Sequence, residues 1–173
     1  WNDRPGAVIF DYDRDGDLDF LITAGGGSPN LLYRNDGDGS FTDVARQAGV
    51  DVVDTHSTGA VACDVDNDGY QDLYLAAWGH PADGLDFRSP NEGNVDHLFL
   101  NLGDGTFRDV TASAFGDAAN ARSATSPVCA DVDGDGWVDI FVANLADDDF
   151  RTFSSSSHPG HYDVLYRNNG DLT

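Results

Sequence analysis

Residues 11–19 read Asp-Tyr-Asp-Arg-Asp-Gly-Asp-Leu-Asp, and the frame Asp-x-Asp-x-Asp-Gly-x-x-Asp returns complete at 64–72 and at 131–139. The framed carboxylates are Asp11, Asp13, Asp15 and Asp19, then Asp64, Asp66, Asp68 and Asp72, then Asp131, Asp133, Asp135 and Asp139. Carboxylates crowded this closely repel one another unless a cation sits among them, and an all-oxygen set suits Ca²⁺. Mg²⁺ fits less well, because it holds its water and resists a protein-only cage. An EF-hand loop begins similarly but closes on a bidentate Glu at position 12. Here position 12 is Ile22, Leu75 or Val142, each inside an apolar run. The frame therefore predicts three Ca²⁺ loops, one per repeat, each lying between two strands. Asp at positions 1, 3, 5 and 9 would ligate through side chains, and Gly at position 6 would permit the sharp turn. Position 7 (Asp17, Tyr70 or Trp137) would ligate through its backbone carbonyl, which explains its variable side chain. The plain alternative is a set of acidic turns without metal.

Working outward, each loop belongs to a longer repeat. The first Asp recurs after 53 residues and again after 67. The distance from Asp11 to Asn35 is 24 residues, whereas Asp64 to Asn101 and Asp131 to Asn168 are both 37. Units two and three thus carry 13-residue insertions, and the period without them stays at 53 to 54. That length fits one four-stranded propeller blade. The predicted units are 1–50, 51–116 with an insertion at about 78–95, and 117–173 with an insertion at about 145–162 and the last strand missing.

Within unit one, apolar runs at Ala7–Phe10, Leu18–Thr23, Leu31–Arg34 and Phe41–Val44 predict four strands. Asn-x-Gly-Asp-Gly between the last two supplies the positive-φ positions of a tight hairpin. Phe20–Ile22, Leu73–Leu75 and Ile140–Val142 lack alternation, which predicts strands buried on both faces. Asp43–Gly49 predicts at most a short helical turn. The fold class is all-β: β-propeller blades of four antiparallel strands, three repeats present.

Composition narrows the partners. The net charge is −22, Glu92 is the only glutamate and there is no lysine. Asp favours turns where Glu favours helices, so this acid belongs to loops. A halophilic surface would also be acidic but would not place its aspartates in register. Nucleic acid and membrane insertion are not expected, given this charge and no apolar run of about 18 residues. The chain begins at Trp1 and contains no methionine, which reads as a piece of a longer protein. Cys63 and Cys129 lie one and two residues before their loops. They either form a disulfide between neighbouring units, as an oxidising compartment allows, or pack as two buried thiols.

The Asp loop followed by Leu-Tyr-Arg-Asn-x-Gly-Asp-Gly-x-Phe-x-Asp-Val resembles the FG-GAP/VCBS-type repeat of integrin α-subunit propellers, closest to the cartilage acidic protein-like branch. The element that names the family is reduced here to Gly6-Ala7, Gly59-Ala60 and Ser126-Pro127. The resemblance implies a calcium-loaded, seven-bladed, extracellular propeller used in adhesion or ligand binding, with Ca²⁺ on the twelve framed aspartates. Three units cannot close a ring, so further blades from the same or another chain are expected.

The resulting expectation is a secreted or cell-surface, non-enzymatic calcium-binding module for adhesion, matrix contact or protein assembly. The alternative is a carbohydrate-binding (lectin) or polysaccharide-lyase propeller. A protein or glycan ligand is expected at the insertion loops, which hold Trp78, His80, Phe87 and Arg88, and Phe150, Arg151, Phe153, His158, His161 and Tyr162. Long loops on a rigid scaffold often carry recognition. His80, His158 and His161 are a weaker candidate for a transition-metal site.

Overall fold

A computed structural model describes residues 5–25, 28–53, 55–78, 95–116, 119–120, 124–144 and 163–171. Both proposed ligand-binding insertions fall almost wholly outside the described residues, as do His80, His158 and His161. Of the named insertion aromatics only Trp78 is described, and it is half-buried.

The first repeat is a meander of β1 (Ala7–Phe10), β2 (Asp19–Ile22), β3 (Leu31–Asn35) and β4 (Phe41–Asp43) in the sheet order β1-β2-β3-β4. The second is β5 (Ser57–Cys63), β6 (Asp72–Ala77), β7 (His97–Asn101) and β8 (Phe107–Asp109), again in chain order. The third pairs β9 (Ala124–Ala130), β10 (Asp139–Asn144) and β11 (Val164–Tyr166), with β10 in the middle. All pairings are antiparallel, as hairpin connections require. Single helical turns, α1 (Ala45–Ala48) and α2 (Thr111–Phe115), follow the fourth strands. Gly49 ends α1 at φ 80°, a left-handed cap that glycine adopts without a Cβ clash. No helix among the described residues is long and apolar enough to cross a membrane.

The sheets stack face to face. Phe10, Leu21, Leu32 and Val44 of the first pack with Leu73, Leu75, Phe99 and Phe107 of the second. Tyr74, Ala76, Leu98 and Leu100, on the second sheet's other face, pack with Ala124, Ile140 and Val142 of the third. Every residue of β6 is therefore buried. The same pattern was expected for β2 and β10, and there it fails. Leu21 is buried, but Phe20 and Ile22 are only half-buried. Ile140 and Val142 are buried, but Phe141 is 38% exposed. Among the described residues only the middle sheet has a neighbour on each side, and alternate side chains of a strand point to opposite faces.

Sheets two and three are also joined covalently by Cys63–Cys129, with Cα atoms 6.6 Å apart. The one-residue offset between the two cysteines makes this possible. Counted from their loops they differ by one place, so one projects forward from β5 and the other backward from β9. The first strands run close together, with β1 against β5 and β5 against β9. A Cβ on Gly59 would lie 2.7 Å from the Thr125 carbonyl oxygen, and one on Gly6 would lie 2.7 Å from that of Thr58. These glycines set how closely the first strands approach one another. Thr58 Oγ1 donates across the gap to the Ala124 carbonyl at 2.6 Å.

Candidate metal centre

Each acidic loop joins the first strand of its sheet to the second and turns back on glycine at position 6. Gly16, Gly69 and Gly136 have φ of 96°, 92° and 93°. Position 4 is also left-handed, at Arg14 (59°), Asn67 (59°) and Gly134 (79°). The aspartates hold this turn with a shared set of bonds. The position-6 N–H donates to Oδ2 of Asp11, Asp64 or Asp131 at 3.1, 2.8 and 2.9 Å. The N–H of Asp17, Tyr70 or Trp137 donates to Asp15, Asp68 or Asp135 at 2.9, 2.8 and 2.9 Å.

Position 9 does more than its spacing suggests. Asp19, Asp72 and Asp139 are at most 1% exposed. One oxygen of each accepts the N–H of Tyr12, Val65 or Val132 at 3.0, 2.8 and 3.0 Å. The other accepts the N–H of Asn35, Asn101 or Asn168, each at 2.8 Å. The carboxylate thus pins its loop to the end of the third strand, and in loops two and three it also joins the acidic group.

Three carboxylates per loop bring an oxygen within 4.8 Å of one another: Asp11, Asp13 and Asp15; Asp64, Asp66 and Asp72; Asp131, Asp133 and Asp139. The fourth framed aspartate of each loop (Asp19, Asp68 or Asp135) lies outside that mutual grouping. The charges are under electrostatic pressure. Burial and neighbouring carboxylates raise the pKa of Asp13 and Asp66. Burial pushes Asp72 up to about 7 against its two N–H donors. Asp131, which is exposed, is held below the usual range by the Gly136 N–H and others. Asp11 Oδ1 is buried and has no hydrogen-bond partner. Asp11 thus carries a buried, unpartnered oxygen and belongs to a group of three converging carboxylates, which matches the donor set of a hard divalent cation, so the residues fit Ca²⁺.

Position 7 carries a second role. Its side chain covers the glycine of the neighbouring Asn-x-Gly turn. A Cβ on Gly103 would lie 2.8 Å from the Tyr70 ring, and one on Gly170 would lie 2.5 Å from that of Trp137. The turn asparagines cap these turns, with Oδ1 of Asn35, Asn101 and Asn168 accepting Gly37, Gly103 and Gly170 N–H at 3.1, 3.0 and 2.9 Å. Asn101 and Asn168 also reach into the preceding repeat, a role that turn chemistry alone does not signal. In loop three the Arg167 guanidinium pairs with Asp133 and lies 3.9 Å from Asp135.

The FG-GAP-like repeat family matches residues 11–75 and 85–142, most of the chain and all three loops. The chain belongs to the FG-GAP-like repeat family. Cartilage acidic protein 1 of Homo sapiens is 31% identical over 146 residues, covering 83% of this chain and 19% of that protein. The Mus musculus protein is 30% identical over the same span and shares, and that of Xenopus tropicalis is 31% identical over 121 residues. The chain thus spans under a fifth of the length of the curated relatives it matches. The FG-GAP-like sheets are all-β, as expected from the sequence, and the matched segments include every framed aspartate.

Proposed function

We propose that this FG-GAP-like chain is a non-enzymatic, calcium-binding module of a secreted or cell-surface β-propeller, acting in adhesion, matrix contact or protein assembly. The observation that carries the reading is the buried, unpartnered Asp11 Oδ1 inside a carboxylate cluster that recurs in three sheets. A divalent cation held there would neutralise carboxylates that burial and mutual repulsion otherwise push toward protonation. The side chains at positions 1, 3, 5 and 9 and the carbonyl at position 7 are its proposed ligands. Homology to a cartilage acidic protein and an intramolecular disulfide support an extracellular setting.

Extracellular modules hold Ca²⁺ at roughly 10⁻⁴–10⁻³ M. At tenfold excess over Kd each site adds about 1.4 kcal/mol, and three independent sites add about 4. Millimolar calcium should therefore raise the melting temperature, and EDTA should reverse the rise. A melting temperature that ignores both would sink the calcium reading. The same loaded protein on arrays of matrix proteins and glycans tests the role. Capture by a matrix protein supports it, and binding to sugars alone would replace it with the lectin alternative.

The open faces of the first and third sheets fit a place within a larger propeller. Counted from their acidic loops, Leu21, Tyr74 and Phe141 are equivalent, and counted from their turn asparagines, so are Leu32, Leu98 and Leu165. The first two of each set are at most 3% exposed, whereas Phe141 and Leu165 are 38% and 51% exposed. On the first sheet Phe20 packs with Tyr33 and Phe41 at 5.0 and 5.1 Å between ring centroids, with nothing described beyond them. We propose that further blades of the same repeat, from the same or another chain, cover both faces.

A further inference from the structure

The three loops are joined by a continuous hydrogen-bonded row. The Tyr12 peptide, bonded through its N–H to Asp19, presents its carbonyl to Asn101 Nδ2 at 2.7 Å. The Asn101 N–H donates to Asp72 Oδ1, and Asp72 Oδ2 accepts the Val65 N–H, both at 2.8 Å. The Val65 carbonyl in turn accepts Asn168 Nδ2 at 2.7 Å, and the Asn168 N–H donates to Asp139 Oδ1 at 2.8 Å. The same step is thus taken twice, each time from the backbone of one loop to the position-9 aspartate of the next. Asn101 is 2% exposed, so an unmade bond there would be costly. A second, outer link runs beside the row. Arg14 lies 5.0 Å over the Tyr70 ring, and Asn67 Nδ2 donates to the Gly136 carbonyl at 3.1 Å. Both outer links start at position 4 of one loop and end at positions 6–7 of the next.

We propose that consecutive loops take up calcium as a coupled row, with Asn101 and Asn168 as positioning residues that tie each position-9 carboxylate to the preceding loop. The inference rests on the calcium reading above. Ordering loop three fixes Asn168, which fixes the Val65 peptide between Asp64 and Asp66. Loop two then has less freedom to lose when it binds, which is positive coupling without a change of shape. Couplings of this kind typically change affinity by roughly 5–150-fold.

The test follows the amide NMR signals of Gly16, Gly69 and Gly136 separately as calcium is added to the calcium-free chain. Disabling loop three with Asp133→Ala should move the Gly69 midpoint to at least about fivefold higher calcium. In an Asn168→Ala background the same substitution should move it less than about twofold, so field effects common to both backgrounds cancel. If Asn168→Ala does not fold, Asn67→Gly serves instead, because loop three already has Gly134 at that place, and the shift must then shrink by at least half. Calcium uptake with an unmoved Gly69 midpoint, or an equal shift in both backgrounds, overturns the coupling while leaving the calcium reading intact. No uptake at any glycine overturns both.

Discussion

Asp96 occupies the place that Asn30 holds in the first repeat, one residue before the third strand. Its Oδ1 accepts the Ala77 N–H, and its Oδ2 accepts Tyr74 Oη and Asn120 Nδ2, all at 2.7 Å. Asn30 does the same work without charge, accepting the Ala24 N–H at 2.9 Å. Burial pushes the Asp96 carboxyl from 3.8 up to about 6, against the pull of these donors. Because the folded pKa exceeds the unfolded one, the folded state binds more protons between these values. The Asp96 contribution is thus full below about pH 4 and lost as pH rises through about 6. The difference between 3.8 and about 6 corresponds to about 3 kcal/mol. Wild type should therefore gain up to about 3 kcal/mol on Asp96→Asn as pH falls from 7 to 4. Urea unfolding of both proteins across that range reads the difference, and a difference flat in pH would refute the assignment. The framed aspartates were legible because each sits in a repeated frame. Asp96 was not, because a lone acid before a strand looks the same whether buried or solvated.

At the scale of elements, the first unit's strands fall within a residue or two of their apolar runs, since hairpin turns and short runs fix strands locally. The approach of β5 to β9, which belong to different sheets, is another matter. Cys63 and Cys129 were each consistent with a bonded and an unbonded reading, and only the stacking of two sheets brings them together. The bond joins positions 66 residues apart, and chain-entropy reasoning for such a loop gives about 4 kcal/mol. Replacing both cysteines with alanine should lower the unfolding free energy by about 2–4 kcal/mol. A loss under about 0.5 kcal/mol in denaturant titrations would mean that the stacked faces hold the sheets unaided. The turn asparagines teach the same lesson. Sequence assigns them to hairpins, but Asn101 and Asn168 each also reach a carbonyl of another repeat, Tyr12 or Val65.

For the whole molecule, the two outer faces carry the clearest expectation. Val128 and Leu165 flank Phe141 across the third sheet and are each 51% exposed. Val132 is 57% exposed, although its equivalents Tyr12 and Val65 are at most 4% exposed. In the 173-residue chain, Leu165→Cys should react quickly with a maleimide. If the further blades proposed above are present in the intact protein, labelling there should slow strongly as a neighbouring blade covers the site. Equal rates in the two settings would show that no blade sits there.

The sequence by itself determined the repeat, the four-strand unit, the acidic loops and the all-β class. Each of these is encoded by neighbours in the chain: apolar runs, turn glycines and carboxylates at fixed offsets. Tertiary structure decided which faces are buried, that the cysteines are bonded, that Gly59 sits where no side chain fits, and that Asn101 and Asn168 tie one loop to the next. Those features depend on how one sheet rests on another. Stacking brings together groups as far apart as Asn168 and Val65, and no local pattern records that approach.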